Sequence, residues 1–241
     1  MEQSFRSSQE DLPKVIAGIP CFNTKPSISD IVSKAKKHVS QVIAIDDGSK
    51  DGTAEAARTA GALVVTHSQN KGYGEAINSC FEAAKTEAAD VLVILDGDGQ
   101  HNPDEIPKLI APILHGEADL VIGSRFLSNE AYMPRYRKFG IRVITFLFNF
   151  GSRTKVSDTQ CGFRSYHEKL FSGLAHNEKG MGISIETLEK ARKMGVVIAE
   201  VPIYCQYAPS TLNVKAVRHG LGVALAVIKL RLQSLLWGNR K

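Results

Sequence analysis

Short apolar runs that end abruptly in polar residues, each separated from the next by a helical pattern, constrain this 241-residue chain more than any other feature. The runs are Val15–Ile19, Val42–Ile45, Ala62–Thr66 and Val91–Leu95, with a further one at Asp119–Ile122. They are rich in Val, Ile and Leu and lack polar alternation, as strands covered on both faces do. Pro20 is expected to stop the first. Between the runs, Pro26–His38 places Ile28, Ile31, Val32 and Ala35 on one face of a helix. A second helix is capped by Asp51 or Thr53 and runs through Ala60, a third follows Gly74 through Ala88, and another starts at Pro103. Strand alternating with helix predicts an α/β fold with a mostly parallel central sheet and helices on both faces.

Parallel sheets bind ligands just beyond the carboxyl ends of their strands. Three strand ends here carry residues suited to that: Phe22-Asn23, Asp46-Asp47 and Asp96–Asp98. The last is the most informative. Val91–Leu95 runs straight into Asp96-Gly97-Asp98-Gly99-Gln100-His101. Two hard oxygen donors on a short loop suit Mg²⁺ or Mn²⁺, with positions left for phosphate oxygens, and Gln100 is a candidate third oxygen. The glycines let the loop turn sharply and leave room for a large ligand. Asp-Gly pairs also occur as plain turns, so the placement after a buried strand carries the metal reading.

Past Gly123-Ser124-Arg125 the pattern is less regular. Met133–Phe150 mixes Arg135, Arg137, Lys138 and Arg142 with an apolar run, Ile183–Met194 is expected to be a helix and Val196–Ile203 a strand. Residues 1–12 are expected to be a flexible tail, 13–210 one domain, and 211–241 a basic amphipathic helix. That last segment suits a membrane interface, or docking on protein. The tail lacks an apolar signal core and no apolar stretch reaches a bilayer-spanning length, so no secretory signal or membrane span is expected. The net charge of +5 favours anionic partners. Basic residues interleave with aliphatic ones rather than with exposed aromatics, which speaks against nucleic acid. The four cysteines are far apart, form no CxxC pair, and are expected to be reduced.

The motifs Ile19–Asn23, Ile45–Thr53, Asn70–Gly74, Asp96–His101 and Gly123–Arg125, in this order, resemble family 2 glycosyltransferases of GT-A fold. Asp158–Arg164 and Glu200–Ile203 resemble the dolichol-phosphate mannose synthase branch. The resemblance spans about residues 14–212. It implies a metal-dependent, inverting transfer of one sugar from a nucleotide-sugar, with GDP-mannose, UDP-glucose and UDP-N-acetylglucosamine all open, to a polyprenyl or dolichyl phosphate. The protein would lie on the cytoplasmic face of a membrane. By resemblance, Pro20, Phe22, Asn23, Lys71 and Gly97 would border the nucleotide-sugar, with Asp46 or Asp47 on the base or ribose. Asp96, Asp98 and Gln100 would hold the metal. Arg125 would lie near the acceptor phosphate, with Arg135, Arg137 and Arg142 as further cations suited to two-pronged bonds. Asp98, Arg125 and Asp158 are the catalytic candidates. Asp158 is read as lining the site or serving as a base, or else as capping a turn or pairing with Arg164.

Two departures qualify this. Thr24 stands where the family usually has Glu. Gln206–Leu212 lacks the usual Arg and Ser-Lys, leaving Lys215 or Arg218 for any basic contact there. Membrane access would rest on residues 134–150 and the C-terminal helix. Other readings are a soluble or protein-linked glycan acceptor, a non-catalytic sugar-nucleotide-binding subunit that recruits a partner to membranes, and a nucleotidyltransferase. The last would want a glycine-rich basic loop where Pro20–Thr24 stands. Oligomeric state is open.

Overall fold

The computed structural model describes residues 12–128, 133–152, 154–174, 178, 180 and 182–207. The expected C-terminal helix over 211–241, and all but the last residue of the expected 1–12 tail, lie outside them.

The first half alternates as expected: β1 (Val15–Cys21), α1 (Lys25–Ala35), β2 (Gln41–Asp46), α2 (Thr53–Thr59), β3 (Leu63–Thr66), α3 (Tyr73–Thr86) and β4 (Val91–Ile94). Then come a 3-10 turn (Pro103–Glu105), α4 (Ile106–Leu114), β5 (Leu120–Ser124), α5 (Arg135–Asn149), β6 (Arg164–His167), α6 (Ile183–Lys193) and β7 (Ile198–Pro202). The seven strands form one sheet in the order β3-β2-β1-β4-β6-β5-β7. Every residue of β1, β4 and β5 is buried, so both faces of the sheet centre are covered. Helix α3 packs on β1, β2 and β4, and α4 on β4, β5 and β6. Ile28, Ile31, Val32 and Ala35 of α1 are all buried, as their spacing requires.

Three details differ from expectation. β1 continues through Pro20 to Cys21. Pro20 costs the sheet nothing, because its missing N–H would face β4 where that ladder has already ended at Gly18↔Ile94; its carbonyl instead accepts from Gly97 N at 3.1 Å. Pro103 opens the 3-10 turn, and the α-helix begins only at Ile106. β6 had no apolar signature, yet it is inserted between β4 and β5 and runs antiparallel to both. Its reversal brings the residues before the strand, Cys161–Phe163, to the edge where β1, β2, β4 and β5 end. The four cysteines are free and buried. No helix of the described residues is long and apolar enough to cross a membrane.

Candidate active site

The loops after β1 and β2 are stitched together. Asn23 sits in left-handed backbone (φ 52°), and its amide donates to Ser49 Oγ at 2.8 Å while its side-chain oxygen accepts from Lys50 N at 3.0 Å. Thr24 N donates to Thr53 Oγ1 and Lys25 N to Asp51 Oδ2. Phe22 is left exposed beside them. The two acids at the end of β2 are not free ligands. Asp46 is buried and accepts from Ser49 N, and Asp47 is buried and accepts from Lys71 N at 2.8 Å and Gly72 N at 2.9 Å. Both brace loops, while the Lys71 residue remains exposed.

The loop after β4 is pressed against this region. A Cβ on Gly97 would lie 2.9 Å from Cys21 Cβ, so only glycine lets the loop approach β1 this closely. Asp96 is a quarter exposed and accepts from Tyr73 Oη at 2.8 Å through Oδ1; its Oδ2 lies 3.9 Å from Nδ1 of the buried His101. That His101 nitrogen is buried without a hydrogen-bond partner. A Cβ on Gly162, which precedes the reversed β6, would sit 2.8 Å from Asp96 Oδ2 and 3.0 Å from Tyr73 Oη. Asp98 is exposed and accepts from Gln100 N at 3.0 Å and Gln100 Nε2 at 2.8 Å. In this arrangement Gln100 serves as a brace for Asp98, with its amide nitrogen rather than its oxygen turned to the carboxylate.

Burial raises the Asp96 pKa above the ordinary carboxylate value, with Tyr73, Arg125 and Arg164 pulling the other way. Loss of hydration, then the charge of Asp96, raises Asp98. Burial, then the charge of Arg125, pushes His101 down to about 4, so it is neutral at neutral pH. Among the described residues no group of three or more His, Cys, Asp or Glu is arranged to hold a metal. The residues that could hold one are the Asp96–Asp98 pair. Two carboxylates at an open rim fit a hard divalent ion that takes its other oxygens from phosphate or water.

The cationic side begins at the end of β5. Arg125 forms a two-pronged pair with Asp158: Nε to Oδ2 at 2.7 Å and Nη2 to Oδ1 at 2.8 Å. Burial works against both charges, but the pair prevails, holding Asp158 below the usual carboxylate range and Arg125 well above its ordinary value. The alternative of Asp158 pairing with Arg164 does not hold. Arg164 is fully buried and donates to the carbonyls of Ser184 and Thr159 instead. Arg125 Nη1 donates to Tyr207 Oη at 2.7 Å, and Arg137 stacks over the Tyr207 ring at 5.5 Å. Arg142 lies over Phe126 at 5.6 Å, and Arg135 is exposed at the start of α5. The structure thus brings Arg125 and Arg137 together on Tyr207 and Arg142 onto the adjacent Phe126, with Arg135 exposed at the start of the same helix as Arg137 and Arg142.

Four participants were not singled out from sequence. Tyr73 donates to Asp96 and Gly162 packs closely against it, and neither residue type signals such a role by itself. Glu200 accepts from the amides of Ser157 and Asp158 and from Ser157 Oγ, so it fixes the turn that carries Asp158. Tyr207 has no periodic or motif signal. It arrives because Gln206 N bonds Gln100 O at 2.8 Å and Cys205 bridges His101, which fasten the segment after β7 to the acidic loop after β4.

The family model for glycosyl transferase family 2 matches residues 17–174. A UDP-N-acetylglucosamine–dolichyl-phosphate N-acetylglucosaminyltransferase from Methanococcus voltae is 30% identical over 215 residues, covering 79% of this chain and 86% of that one. A dolichol-phosphate mannosyltransferase from Pyrococcus furiosus is 29% identical over 201 residues, covering 78% of this chain and 55% of that one. Among solved structures, glucosyl-3-phosphoglycerate synthase from Mycobacterium tuberculosis, in complex with Mn²⁺, UDP-glucose and phosphoglyceric acid, superposes with a TM-score of 0.71 at 20% identity, covering 90% of this chain and 79% of that one. The sheet and its helices are the GT-A fold.

Proposed function

We propose that this chain, which belongs to glycosyl transferase family 2 and is a glycosyltransferase, moves one sugar from a nucleotide-sugar to a polyprenyl or dolichyl phosphate at a membrane surface. The observation that carries this reading is the layout of one sheet edge. The acidic Asp96–Asp98 loop lies between the stitched 22–25 and 46–53 loops on one side and Arg125, Arg137 and Arg142 on the other. A donor diphosphate and an acceptor phosphate are both anions, and this arrangement separates a cation site for the first from guanidinium groups for the second.

Asp96 and Asp98 would hold Mg²⁺ or Mn²⁺, which supplies charge stabilisation to a departing nucleoside diphosphate. Gln100 orients Asp98, and Tyr73 and Gly162 set the position of Asp96. Phe22, Asn23 and the 70–72 loop would border the nucleotide, with Pro20 and Gly97 forming the floor; Asp46 and Asp47 act by bracing. An acceptor phosphate oxygen is ionised near neutral pH and attacks the anomeric carbon from the face opposite the leaving diphosphate, inverting it. No strong base is then needed. Asp158 accordingly serves to neutralise and aim Arg125. Because that partner balances the Arg125 charge, Arg137, Arg142 and Arg135 are the net cations left for the acceptor.

The outer face of α5 supports a lipid surface. Phe139, Phe146 and Phe150 are 71%, 67% and 72% exposed, with Val143 between them, and Arg135, Lys138 and Arg142 are exposed on the same helix. The helix has no acidic residue. An amphipathic face of aromatics with flanking cations suits an anionic bilayer interface. The names of the archaeal relatives support the same acceptor class.

The test is incubation with labelled UDP- and GDP-sugars, Mg²⁺ or Mn²⁺, and dolichyl phosphate. Label extracted into lipid with one donor is the expected result; none with any donor overturns the reading. A soluble acceptor is the second reading, favoured by the phosphoglyceric acid in the similar solved structure. Product formed with phosphoglyceric acid and not with dolichyl phosphate would establish it.

A further inference from the structure

His67 follows β3 at the rim of the proposed donor site, and its imidazole is buried. Its Nδ1 lies 2.6 Å from Asp47 Oδ1 and its Nε2 lies 2.9 Å from Ser79 Oγ in α3. A carboxylate only accepts hydrogen bonds, so the contact with Asp47 assigns the ring proton to Nδ1. Asp47 spends its remaining capacity on Lys71 N and Gly72 N, the two amides that lead into α3. One ring therefore joins the end of β2, the end of β3 and the body of α3.

The connection is tight along its length. His67 N donates to Asp46 O and Asp47 N to Cys21 O, both at 2.9 Å, so the backbone of each partner is pinned to a neighbouring strand end. Gly48, at φ +76°, lies so close to the following loop that a Cβ there would sit 2.7 Å from the Gln69 carbonyl carbon. With the backbones pinned, the position of Lys71 and Gly72 is set by where the Asp47 carboxylate points. The Asp47 carboxylate is in turn held by His67.

We infer that His67 is a positioning residue for the nucleoside diphosphate part of the donor, acting through Asp47 on the Lys71–Gly72 loop. This deepens the proposed function and rests on its placing of the donor nucleotide beside that loop. His67 touches neither the metal loop nor the arginine cluster, so its removal should weaken the donor and spare the acceptor.

The experiment titrates UDP and GDP, each with Mn²⁺, into the wild-type protein, His67→Phe and His67→Asn by calorimetry, alongside steady-state KM for donor and acceptor. Phenylalanine keeps a ring but removes the donor to Asp47. Asparagine keeps an N–H near the Nδ1 position, so it tests the bond rather than the packing. Losing a hydrogen bond to a charged group predicts that His67→Phe binds the nucleotide roughly tenfold more weakly, with donor KM raised alike and acceptor KM unchanged. His67→Asn is expected within about threefold of wild type, since it restores that bond. His67→Phe binding as tightly as wild type overturns the inference, and so does His67→Asn failing to recover while its melting transition is normal. A wild-type protein that binds neither nucleotide overturns the donor-site reading itself, a result distinct from either variant outcome.

Discussion

Asp158 grips Arg125 through both of its carboxylate oxygens, at 2.7 and 2.8 Å, and the Asp158 side chain is fully shielded from solvent. Removing one member of a buried pair leaves the other charge uncompensated, which costs about 3–5 kcal/mol. Asp158→Ala is therefore expected to lose about that much in urea denaturation, together with most of its activity. Loss of under about 1 kcal/mol would mean that Arg125 finds another partner.

The same pair sets a pH dependence. The folded-state pKa of Asp158 lies below its ordinary value of 3.8, so its contribution is fully present above that value and is lost as pH falls through the depressed one. Asp158→Asn imitates the protonated acid. The urea midpoints of wild type and Asp158→Asn should differ most near neutral pH and converge below pH of about 3.8. A constant difference from neutral to strongly acidic conditions would argue against the ion pair as its source.

Gly162 packs closely against Asp96, and an added methyl would meet Oδ2 at 2.8 Å. Gly162→Ala must move Asp96 or Tyr73. A displacement on the scale of 1 Å at reacting groups costs roughly a hundredfold in rate. That loss in kcat is expected here, with Asp98→Ala showing a comparable or larger loss at nearly unchanged melting temperature, because Asp98 is exposed. Normal kcat in both would remove the acidic loop from the chemistry.

The exposed phenylalanines of α5 give a separable readout. Full burial of such a side chain contributes about 1.5–3 kcal/mol. Phe139→Ser with Phe146→Ser is expected to weaken pelleting with vesicles of anionic phospholipid by at least roughly tenfold, while binding of UDP or GDP stays as in wild type. Unchanged pelleting would remove α5 from the lipid contact.

The repeating half of the chain was readable because β1, β4 and nearly all of β2 are buried and α1 is one-sided, so the apolar pattern located those strands and the inward face of α1, although the edge strand β3 leaves Leu63 and Val65 exposed. β6 was not, because Arg164-Ser165-Tyr166-His167 carries polar side chains whose satisfaction comes from distant groups: Ser165 Oγ from Leu109 O, Arg164 from Thr159 O and Ser184 O. The acidic loop after β4 was found by its position at a strand end. The state of Asp46 and Asp47 was not, since a carboxylate that faces a ligand and one that ties down amides have the same letters. Arg125 was legible as a cation near the site, but its partner 33 residues away was not. Tyr207 and Glu200 owe their roles to tertiary contacts that leave no periodic trace.

Arg164 pairs with Ile94 on one side and Ile122 on the other, so β5 reaches the rest of the sheet only through a strand that comes later in the chain. This sets an order of assembly. β1, β2 and β3 can zip up through neighbouring βαβ units, whereas β4 must return to β1 (Val15↔Val91) and β5 and β7 must wait until β6 threads into place beside β4 (Ile94↔Arg164), two closures that each span some seventy residues or more. The 22–25 and 46–53 loops, proposed to border the nucleotide, therefore belong to the early half, and the packing around Asp96 is completed only when Gly162 arrives with β6. A nascent chain would acquire its scaffold for the donor before it acquires the geometry to use one.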